Sequence, residues 1–421
     1  MAFEYDGTSG SATENRAPWL SIVGIGEDGL SGLGENARRA IAEAEVIFGG
    51  KRHLELASSA IAGKARAWPV PFDPSMADVV ALAGRKVCVL ASGDPFFYGV
   101  GVTLLRQIDA REVVTYPAPS AFSLAASRLG WALQTTECVS LHGRSIDLIR
   151  PHLHPGARII ALTSDANAPS LIASLLDQTG FGHSAFTLLE AIGGSGERLR
   201  KTTAREFAFS DIDPLNVIAI EVVADETARI LPFSSGLEDS LFEHDGQITK
   251  REIRAITMSS LSPRYGELLW DIGAGSGSIG IEWMLSHPSL NAIAIEQNPE
   301  RAERAMRNAE AFGVPALEVV IGTAPEAFEG LSQPDAIFIG GGGSEEGVLD
   351  GAVEALKPGG RLVANAVTLE MEAMLLAAQA RLGGSLIRID IARASPVGQM
   401  QGWRPAMPVT QWTWVKPKDM P

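Results

Sequence analysis

Leu268-Leu-Trp-Asp-Ile-Gly-Ala-Gly-Ser-Gly-Ser-Ile-Gly280 is an apolar run that breaks into glycines and then resumes. Its first residues indicate a buried strand, and the residues after the glycines indicate a helix. Glycines allow the backbone to turn tightly and to approach a ligand that a side chain would keep away. The stretch therefore predicts a strand, a cofactor loop and a helix. The expected cofactor contacts in the loop are Gly273, Ala274, Gly275, Ser276 and Gly277.

The spacing of these glycines separates two classes of cofactor. A dinucleotide loop has the pattern G-x-G-x-x-G and holds a pyrophosphate, but here Ser278 stands where the third glycine should be. Asp271, just before the glycines, would repel a pyrophosphate and could hold the ammonium of a methionine moiety, directly or through water. The loop therefore favours S-adenosylmethionine over a nicotinamide dinucleotide.

A second short apolar strand, Asn291 to Glu296, follows the loop helix. Its terminal acid lies roughly 20 residues beyond the loop, where a carboxylate accepts hydrogen bonds from ribose hydroxyls. Asn298 and Pro299 then predict the start of another helix. We expect a βαβ unit with Glu296 as the ribose ligand; the alternative is that the glycines form only a tight connection.

Composition limits the classes of function. The chain has 421 residues, enough for two domains, and a formal net charge of -15. Such a charge argues against nucleic acid or an anionic membrane as a partner, so a polyanionic substrate would need local basic contacts inside a pocket. The two cysteines, Cys88 and Cys138, have no metal-ligand spacing, and no metal site is expected.

The polar start of the chain, Met1 to Ala17, has no apolar segment of the kind found in signal peptides. No apolar run approaches the roughly 20 residues that span a bilayer. We therefore expect residues 1–17 to be a disordered tail on a cytoplasmic protein without a membrane partner.

The N-terminal half repeats the pattern of a strand that runs into glycines. Trp19 to Gly29 is one example, and Lys86 to Gly99 is an apolar strand followed by the turn Ser92-Gly93-Asp94-Pro95. With Pro117 to Gly130 and Val139 to Arg144, these motifs resemble the tetrapyrrole (corrin/porphyrin) methylases. The resemblance implies two α/β lobes with S-adenosylmethionine in the cleft between them. It further implies cofactor contacts at Gly24, Gly26, Ser92, Gly93, Asp94, Phe97, Ser120, Ala121 and Leu162. The sequence departs from the family pattern at Glu27 and Asp28, where many members have Pro-Gly.

The segment from Ile230 to Ser240 has neither helical nor strand periodicity and contains Pro, Gly and Ser. We therefore expect a tetrapyrrole methylase domain at 18–229, a linker at 230–244 and a second domain at 245–421.

The second domain resembles the decarboxylating precorrin-6B C-15 methyltransferases, which have a class I, Rossmann-like sheet of seven strands. Besides the Asp271 loop, the matched stretches are Ile248–Arg254, Gly322–Glu326, Asp335–Gly343 and Leu356–Val363. The resemblance implies cofactor contacts at Thr249, the glycine loop, Glu296 and Ala324. Where the family often has Gly-Asp-Ala, Thr323 replaces the aspartate, so the adenine amino group is expected to meet backbone or the Thr323 hydroxyl.

The two resemblances together indicate the family of bifunctional precorrin-6B (precorrin-6Y) C-5,15-methyltransferases of cobalamin biosynthesis. They imply that the N-terminal half methylates C-5, and that the C-terminal half methylates C-15 and decarboxylates the ring-C acetate, giving precorrin-8. One S-adenosylmethionine per domain and precorrin-6B as the substrate follow from the same resemblance. A homo-oligomer is the family habit, and contact with neighbouring enzymes of the pathway is conceivable. The order of the methylations and the presence of cobalt stay open.

Methyl transfer needs mainly positioning, so no catalytic triad is expected. The decarboxylation needs a proton, for which Glu282 and Glu370 are candidates; each is otherwise a solvated or helix-capping carboxylate. His142 and Arg144 are candidate substrate contacts of the N-terminal half, because a polycarboxylate favours such donors. Arg251 and Arg254, three apart on a predicted helix, are the corresponding candidates in the C-terminal half, unless they form an exposed helix face.

Three other functions compete with this prediction. A pair of methyltransferases for another tetrapyrrole would differ only in its substrate. A nicotinamide-dependent oxidoreductase is disfavoured by the glycine spacing, and a non-catalytic module would bind S-adenosylmethionine without turnover. Near the C-terminus, Gln399 to Trp403 and Val409 to Val415 alternate like an edge hairpin, whose three tryptophans would face substrate, core or another subunit.

Overall fold

The computed structural model describes residues 17–418. The chain divides into two compact units. The first contains the described residues up to Arg144 together with Pro155–Ala228, and the second contains Ser145–His154 together with the chain from Arg229 onward. Each unit is α/β, as the sequence predicted.

The first unit begins with a five-stranded parallel sheet in the order β3-β2-β4-β1-β5. Its strands are β1 (Leu20–Ile25), β2 (Val46–Gly49), β3 (Lys64–Ala67), β4 (Val87–Ser92) and β5 (Val113–Tyr116). Its helices are α1 (Glu35–Glu43), α2 (Lys51–Leu56), α3 (Ala77–Val80), α4 (Gly101–Leu104) and α5 (Ala121–Leu129). The central strands read as continuous apolar runs because both faces of the sheet are covered.

A second sheet completes this unit in the order β6-β7-β10-β8-β9. It contains β6 (Glu137–Ser140), β7 (Arg158–Leu162), β8 (Ala185–Glu190), β9 (Arg198–Thr203) and β10 (Asn216–Glu221), with α6 (Ala168–Gln178) after β7. Only the pair β6 and β7 is parallel. Helix α5 packs its buried residues against this sheet, so the two lobes share an apolar cluster.

The second unit is a seven-stranded sheet in the order β13-β12-β11-β14-β15-β19-β16. Its strands are β11 (Leu268–Ile272), β12 (Asn291–Glu296), β13 (Glu318–Ile321), β14 (Ala336–Ile339), β15 (Arg361–Ala366), β16 (Ser385–Ile389) and β19 (Val409–Val415). Its helices are α7 (Arg251–Leu261), α8 (Ser278–Ser286), α9 (Pro299–Ala311), α10 (Val348–Ala355) and α11 (Leu369–Leu382). All neighbours are parallel except β19, which runs antiparallel to both β15 and β16. This is the Rossmann-like sheet that the sequence predicted.

The segment 230–244, expected to be a linker, packs on the second unit. Leu231, Leu237 and Phe242 are each at most 5% exposed and belong to its core. The segment has no periodic pattern, so its sequence does not indicate a helix or a strand. Burial of its three apolar side chains nevertheless stabilises its packing on the second unit. The short stretch Ser145–His154 also belongs to this unit, although it lies within the predicted N-terminal domain.

The C-terminal strands differ from the expected hairpin. Strand β18 (Met400–Pro405) pairs with β17 (Ala392–Val397), whereas β19 is inserted into the large sheet. Trp412 and Trp414 are therefore core residues, and Trp403 is 76% exposed. Alternation marks a strand with two different faces, but it does not specify the partner strand.

None of the helices within residues 17–418 is long and apolar enough to cross a membrane. In that same range no three His, Cys, Asp or Glu side chains come together as a metal-binding group.

The different environments of the tryptophans give a stability prediction. Trp412 is fully buried, and its Nε1 donates a hydrogen bond of 3.0 Å to the carbonyl oxygen of Gly383. We expect Trp412→Ala to lower the free energy of unfolding of the second unit by about 3–5 kcal/mol, because a large cavity is left. Trp403→Ala should change it by no more than about 0.5 kcal/mol. Urea titration of the full chain measures both, and equal losses would contradict the assignment.

Candidate active sites

The first site is built where β1 and β4 end side by side. Gly24 lies on β1 and Gly93 directly follows β4, and a Cβ at residue 24 would collide with the carbonyl oxygen of Gly93. The amide of Gly93 donates to the carbonyl of Ile25 (3.2 Å), and the carbonyl of Gly93 accepts from the amide of Ala118 (3.3 Å). Three loops are thus joined at the carboxyl edge of the sheet, the usual place of ligand sites in such folds.

Beside these loops lies a cavity of about 890 Å³ within the first unit. Most of the residues that the sequence predicted for the N-terminal site line it: Gly26, Ser92, Gly93, Phe97, Ser120, Ala121, His142, Arg144 and Leu162. Gly24 and Asp94 are not among its lining residues. Gly24 instead permits the contact between loops, and the Asp94 carboxylate accepts the amide of Phe96 at 2.8 Å and so shapes the turn.

One wall of this cavity is aromatic and partly exposed. Phe97 and Tyr98 are 39% and 48% exposed, and their rings pack at 4.8 and 5.8 Å from that of Phe122. The guanidinium of Arg144 lies 5.9 Å from the centre of the Tyr98 ring. The Nδ1 of His142 lies 3.0 Å from the carbonyl oxygen of Thr163, and this contact fixes the orientation of the imidazole ring. The wall combines flat apolar faces with a cation, which suits a flat anionic ligand.

Three basic residues of the cavity lie outside the motifs that the sequence offered: Arg52, His53 and Arg106. His53 Nε2 lies 2.8 Å from the hydroxyl of Ser92, and burial beside Arg52 lowers the pKa of His53 to about 4. Arg52 pairs with Glu27, whereas the side chain of Arg106 is exposed and makes no hydrogen bond or ion pair within residues 17–418. Helix α2 directly follows β2, so the rule that carboxyl ends of parallel strands converge would have found the first two.

The second site is the loop between β11 and α8. Gly273 has φ +70°, and a Cβ there would collide with the carbonyl of Gly341, which follows β14. Gly275 has φ +58°, and among residues 17–418 the only atom within 4 Å of a Cβ at this position is the carbonyl oxygen of Gln247, at 3.6 Å. The loop is therefore closed against β14 on one side and open at Gly275 on the other.

Two carboxylates hold this loop. Glu296 is 5% exposed and accepts the amides of Gly275 (2.8 Å) and Asn298 (2.9 Å). Asp271 is 1% exposed and accepts the amide of Gly280 at 3.0 Å. Burial raises the pKa of Asp271 to about 7, and the negative charge of Glu296 acts in the same direction. A cation bound beside Asp271 would reverse this shift, as expected for a ligand that carries an ammonium group.

The remaining predicted cofactor residues lie on segments next to the loop. Gly322, directly before Thr323 and Ala324, donates its amide to the carbonyl of Glu296 at 3.1 Å. Thr249 is half-buried and lies two residues after Gln247, whose carbonyl faces Gly275. Both segments therefore adjoin the residues that hold the loop.

Arg254 and Glu282 are buried and hydrogen-bonded to each other. Both are at most 2% exposed, and the Nε of Arg254 donates to Glu282 at 2.6 Å. Glu282 also accepts the amides of Gly236 and Leu237 at 2.7 and 2.9 Å. These contacts give the pair a structural task, which corrects the roles of proton carrier and substrate contact expected from the sequence. Arg254 and Glu282 have these structural roles because they bind the segment 230–244, whose burial the sequence did not indicate.

The other two candidates of this domain are at the surface. Arg251 is exposed and pairs with Glu238. Glu370 is exposed in the first turn of α11, one residue before Met371, which contacts the glycine run after β14 at Gly343. Glu370 therefore lies at the carboxyl edge of the sheet, on the side of the loop formed by Gly273 and Gly341.

Each unit thus has a glycine loop at the carboxyl ends of neighbouring parallel strands, and the two sheets have different strand orders. A family described as tetrapyrrole (corrin/porphyrin) methylases matches residues 20–208, and one described as a precorrin methyltransferase domain matches residues 240–416. Fold, loops and both matches define a methyltransferase made of two domains of different fold.

The relatives cover nearly the whole chain. It is 65% identical over 400 residues to a Sinorhizobium protein named precorrin-6Y C(5,15)-methyltransferase (decarboxylating), covering 95% of this chain and 97% of that protein. A Mycobacterium tuberculosis protein of the same name is 42% identical over 402 residues, covering 94% of this chain and 100% of that protein. The chain belongs to the family of decarboxylating precorrin-6Y C(5,15)-methyltransferases.

Shorter relatives match part of the chain. A Salmonella typhimurium protein named cobalt-precorrin-6B C(15)-methyltransferase (decarboxylating) is 33% identical over 179 residues, covering 41% of this chain and 92% of that protein. The solved C-terminal domain of precorrin-6Y C5,15-methyltransferase from Rhodobacter capsulatus is 48% identical and covers 44% of this chain and 100% of that chain, with a TM-score of 0.42.

The raised pKa of Asp271 predicts a pH dependence of stability. Between about pH 4 and pH 7 the folded chain retains a proton that the unfolded chain has released, so this carboxyl destabilises the fold progressively as pH rises through that window. Relative to the Asp271→Asn variant, the free energy of unfolding of the wild type should fall by up to about 1.4 kcal/mol per pH unit across this window. Above about pH 7 the difference between the two proteins should stay constant. Urea titrations across the window measure the difference; a constant difference would contradict the raised pKa.

Proposed function

We propose that residues 18–229 methylate C-5 of precorrin-6B, and that residues 245–421 methylate C-15 and decarboxylate the ring-C acetate. The observation that carries this division is the presence of two separate glycine loops, each at the carboxyl edge of its own parallel sheet. The names of the relatives support it, because one carries both activities and a protein of 179 matched residues carries only the C(15) activity.

Each unit has features that fit one S-adenosylmethionine. In the second unit Gly275 is open on one face, and Glu296 supplies a carboxylate for a ribose. Asp271, whose pKa is about 7, would ionise when an ammonium group binds beside it. In the first unit, the backbone at Gly26 and Gly93 lines a cavity of about 890 Å³, a size in the range of cofactor pockets. When bound, S-adenosylmethionine supplies an electrophilic methyl group.

The first cavity also suits a flat polycarboxylate. Arg52, Arg106 and Arg144 line it, although the whole chain carries a net charge of -15. Arg106 and Arg144 have no carboxylate partner within residues 17–418, so their guanidinium groups are free to bind carboxylates as paired donors. The rings of Phe97 and Tyr98 offer a face on which a conjugated macrocycle can lie.

The chemistry in this proposal rests on positioning. Holding the macrocycle carbon in line with the methyl donor, away from water, provides much of the rate without a covalent intermediate. The decarboxylation additionally requires a proton for the carbon that loses carbon dioxide. With Glu282 engaged by Arg254, Glu370 is the remaining acid among the two candidates, and its exposure at the edge of the sheet allows it to exchange protons with solvent.

The division of labour can be tested with point variants of the full chain. A cut near Ser235 is unsuitable, because Gly236 and Leu237 are bound to the second unit. Ala121→Trp would place a bulky side chain in the first cavity, and Glu296→Ala would remove the acceptor that holds the second loop. Mass spectrometry of precorrin-6B incubated with S-adenosylmethionine reads the products.

We expect Ala121→Trp to yield one added methyl group and the loss of carbon dioxide, whereas Glu296→Ala should abolish that loss. A wild-type chain that leaves the mass of the substrate unchanged would refute the proposed function. Loss of carbon dioxide that survives Glu296→Ala but not Ala121→Trp would reverse the assignment of the two halves.

The arginines of the cavity give a separate prediction. Arg106→Ala and Arg144→Ala should each raise KM for the macrocycle in the C-5 step by about 10- to 100-fold, because each removes a charge-assisted hydrogen bond of about 1.5–3 kcal/mol. The C-15 step of the same chain is an internal control. Arg111→Ala is the matched control, since Arg111 is bound to Asp109 on the surface. Equal effects on both steps would argue against a substrate role.

A further inference from the structure

We propose that Arg254 is a positioning residue: it holds residues 236–249, the strap, against the second unit and so places Thr249 beside the C-terminal glycine loop. The inference rests on the proposed function, because Thr249 and the glycine loop contact a cofactor only if the second unit binds S-adenosylmethionine. It assigns a role in the reaction to a segment that resembles a linker in the sequence.

Arg254 is fully buried and uses its whole guanidinium on the strap and on α8. Its Nη1 donates to the carbonyl of Thr249 at 2.5 Å, its Nη2 donates to the carbonyl of Leu237, and its Nε donates to Glu282 at 2.6 Å. The guanidinium also lies 4.8 Å from the centre of the Phe242 ring. One planar cation thus fixes the two ends of the strap at once, which the compact ammonium of lysine cannot do.

The other side of this clamp is the helix of the glycine loop. Glu282 lies on α8, which begins directly after Gly277, and it accepts the amides of Gly236 and Leu237. The start of the strap is therefore tied to the same helix that carries the loop. A shift of Arg254 would move Thr249 relative to the loop.

A second buried side chain ties the middle of the strap to the loop itself. Asn308 is 2% exposed, and its Nδ2 lies 2.9 Å from the carbonyl of Ser276 and 3.0 Å from that of Glu243. Its Oδ1 accepts the amide of Glu243 at 2.9 Å. Because the carbonyl of Gln247 then faces the open side of Gly275, the strap passes along the part of the loop that has room for a ligand.

A positioning role of Arg254 and a purely stabilising role predict different results for combined variants. Many buried ion pairs add little to stability and are important for the geometry that they specify. If Arg254 acts through Thr249, removing the Thr249 side chain must also remove most of the catalytic effect of changing Arg254, because coupled residues are not additive. An arginine that only stabilises the unit would leave the two effects independent.

The test is a double-mutant cycle of Arg254→Lys and Thr249→Ala in the full chain. KM for S-adenosylmethionine is measured for the C-15 step, with the C-5 step as internal control and thermal unfolding as the check on folding. Each single variant should raise this KM about tenfold, the effect of about 1.4 kcal/mol, with kcat changed less. The KM of the double variant should be no higher than the KM of the more impaired single variant. Arg307→Met, which breaks only the surface ion pair of Arg307 with Glu243 of the strap, is the matched control and should change nothing.

Additive effects in the double variant, or an unchanged KM in Arg254→Lys, would overturn the positioning role. Should Arg254→Lys fail to fold, Glu282→Gln takes its place in the same cycle, since it keeps an acceptor for one of the two strap amides and removes the negative charge that holds Arg254. A wild-type chain without any C-15 product would instead refute the proposed function.

Discussion

Both units depend on the same close contact between two backbones at the carboxyl edge of a parallel sheet. In the first unit Gly24 of β1 touches Gly93, which follows the neighbouring strand β4. In the second unit Gly273, after β11, touches Gly341, after the neighbouring strand β14. A side chain at either contact would push the loops apart, so the absence of Cβ atoms is what allows two loops and a ligand to share one narrow edge. Two sheets of different strand order thus share the same arrangement of glycines.

The electrostatics of the two sites differ although the chain as a whole is acidic. The cavity of the first unit collects Arg52, Arg106 and Arg144, so a positive region exists inside a chain of net charge -15. The second site instead keeps Asp271 and Glu296 buried around its loop, and burial raises the pKa of Asp271 to about 7. The first arrangement suits an anionic substrate, and the second suits a cofactor that carries positive charge.

Most of the residues that the family resemblance implied for the first site line one cavity. Ser92 and Gly93 end an apolar strand and Ala121 begins a helix, and the resemblance named these residues before the cavity was known. Arg52 and Arg106 were missed, since an arginine after a loop looks like any solvated charge. The roles expected for Glu282 and Arg254 failed for a related reason: nothing in the spacing of two charged residues 28 positions apart indicates that they pair in the core.

The sequence by itself determined the two α/β classes, the glycine loops and the acids beside them, because period, turn chemistry and spacing are encoded over a few residues. Only the tertiary structure decided that 236–249 lies against the second glycine loop, that Ser145–His154 joins the second unit, and that β19 enters the large sheet. Those outcomes depend on which apolar and charged surfaces bury one another across long separations in the chain. Burial of this kind has no local signature, since an irregular segment contributes as much apolar area as a regular one.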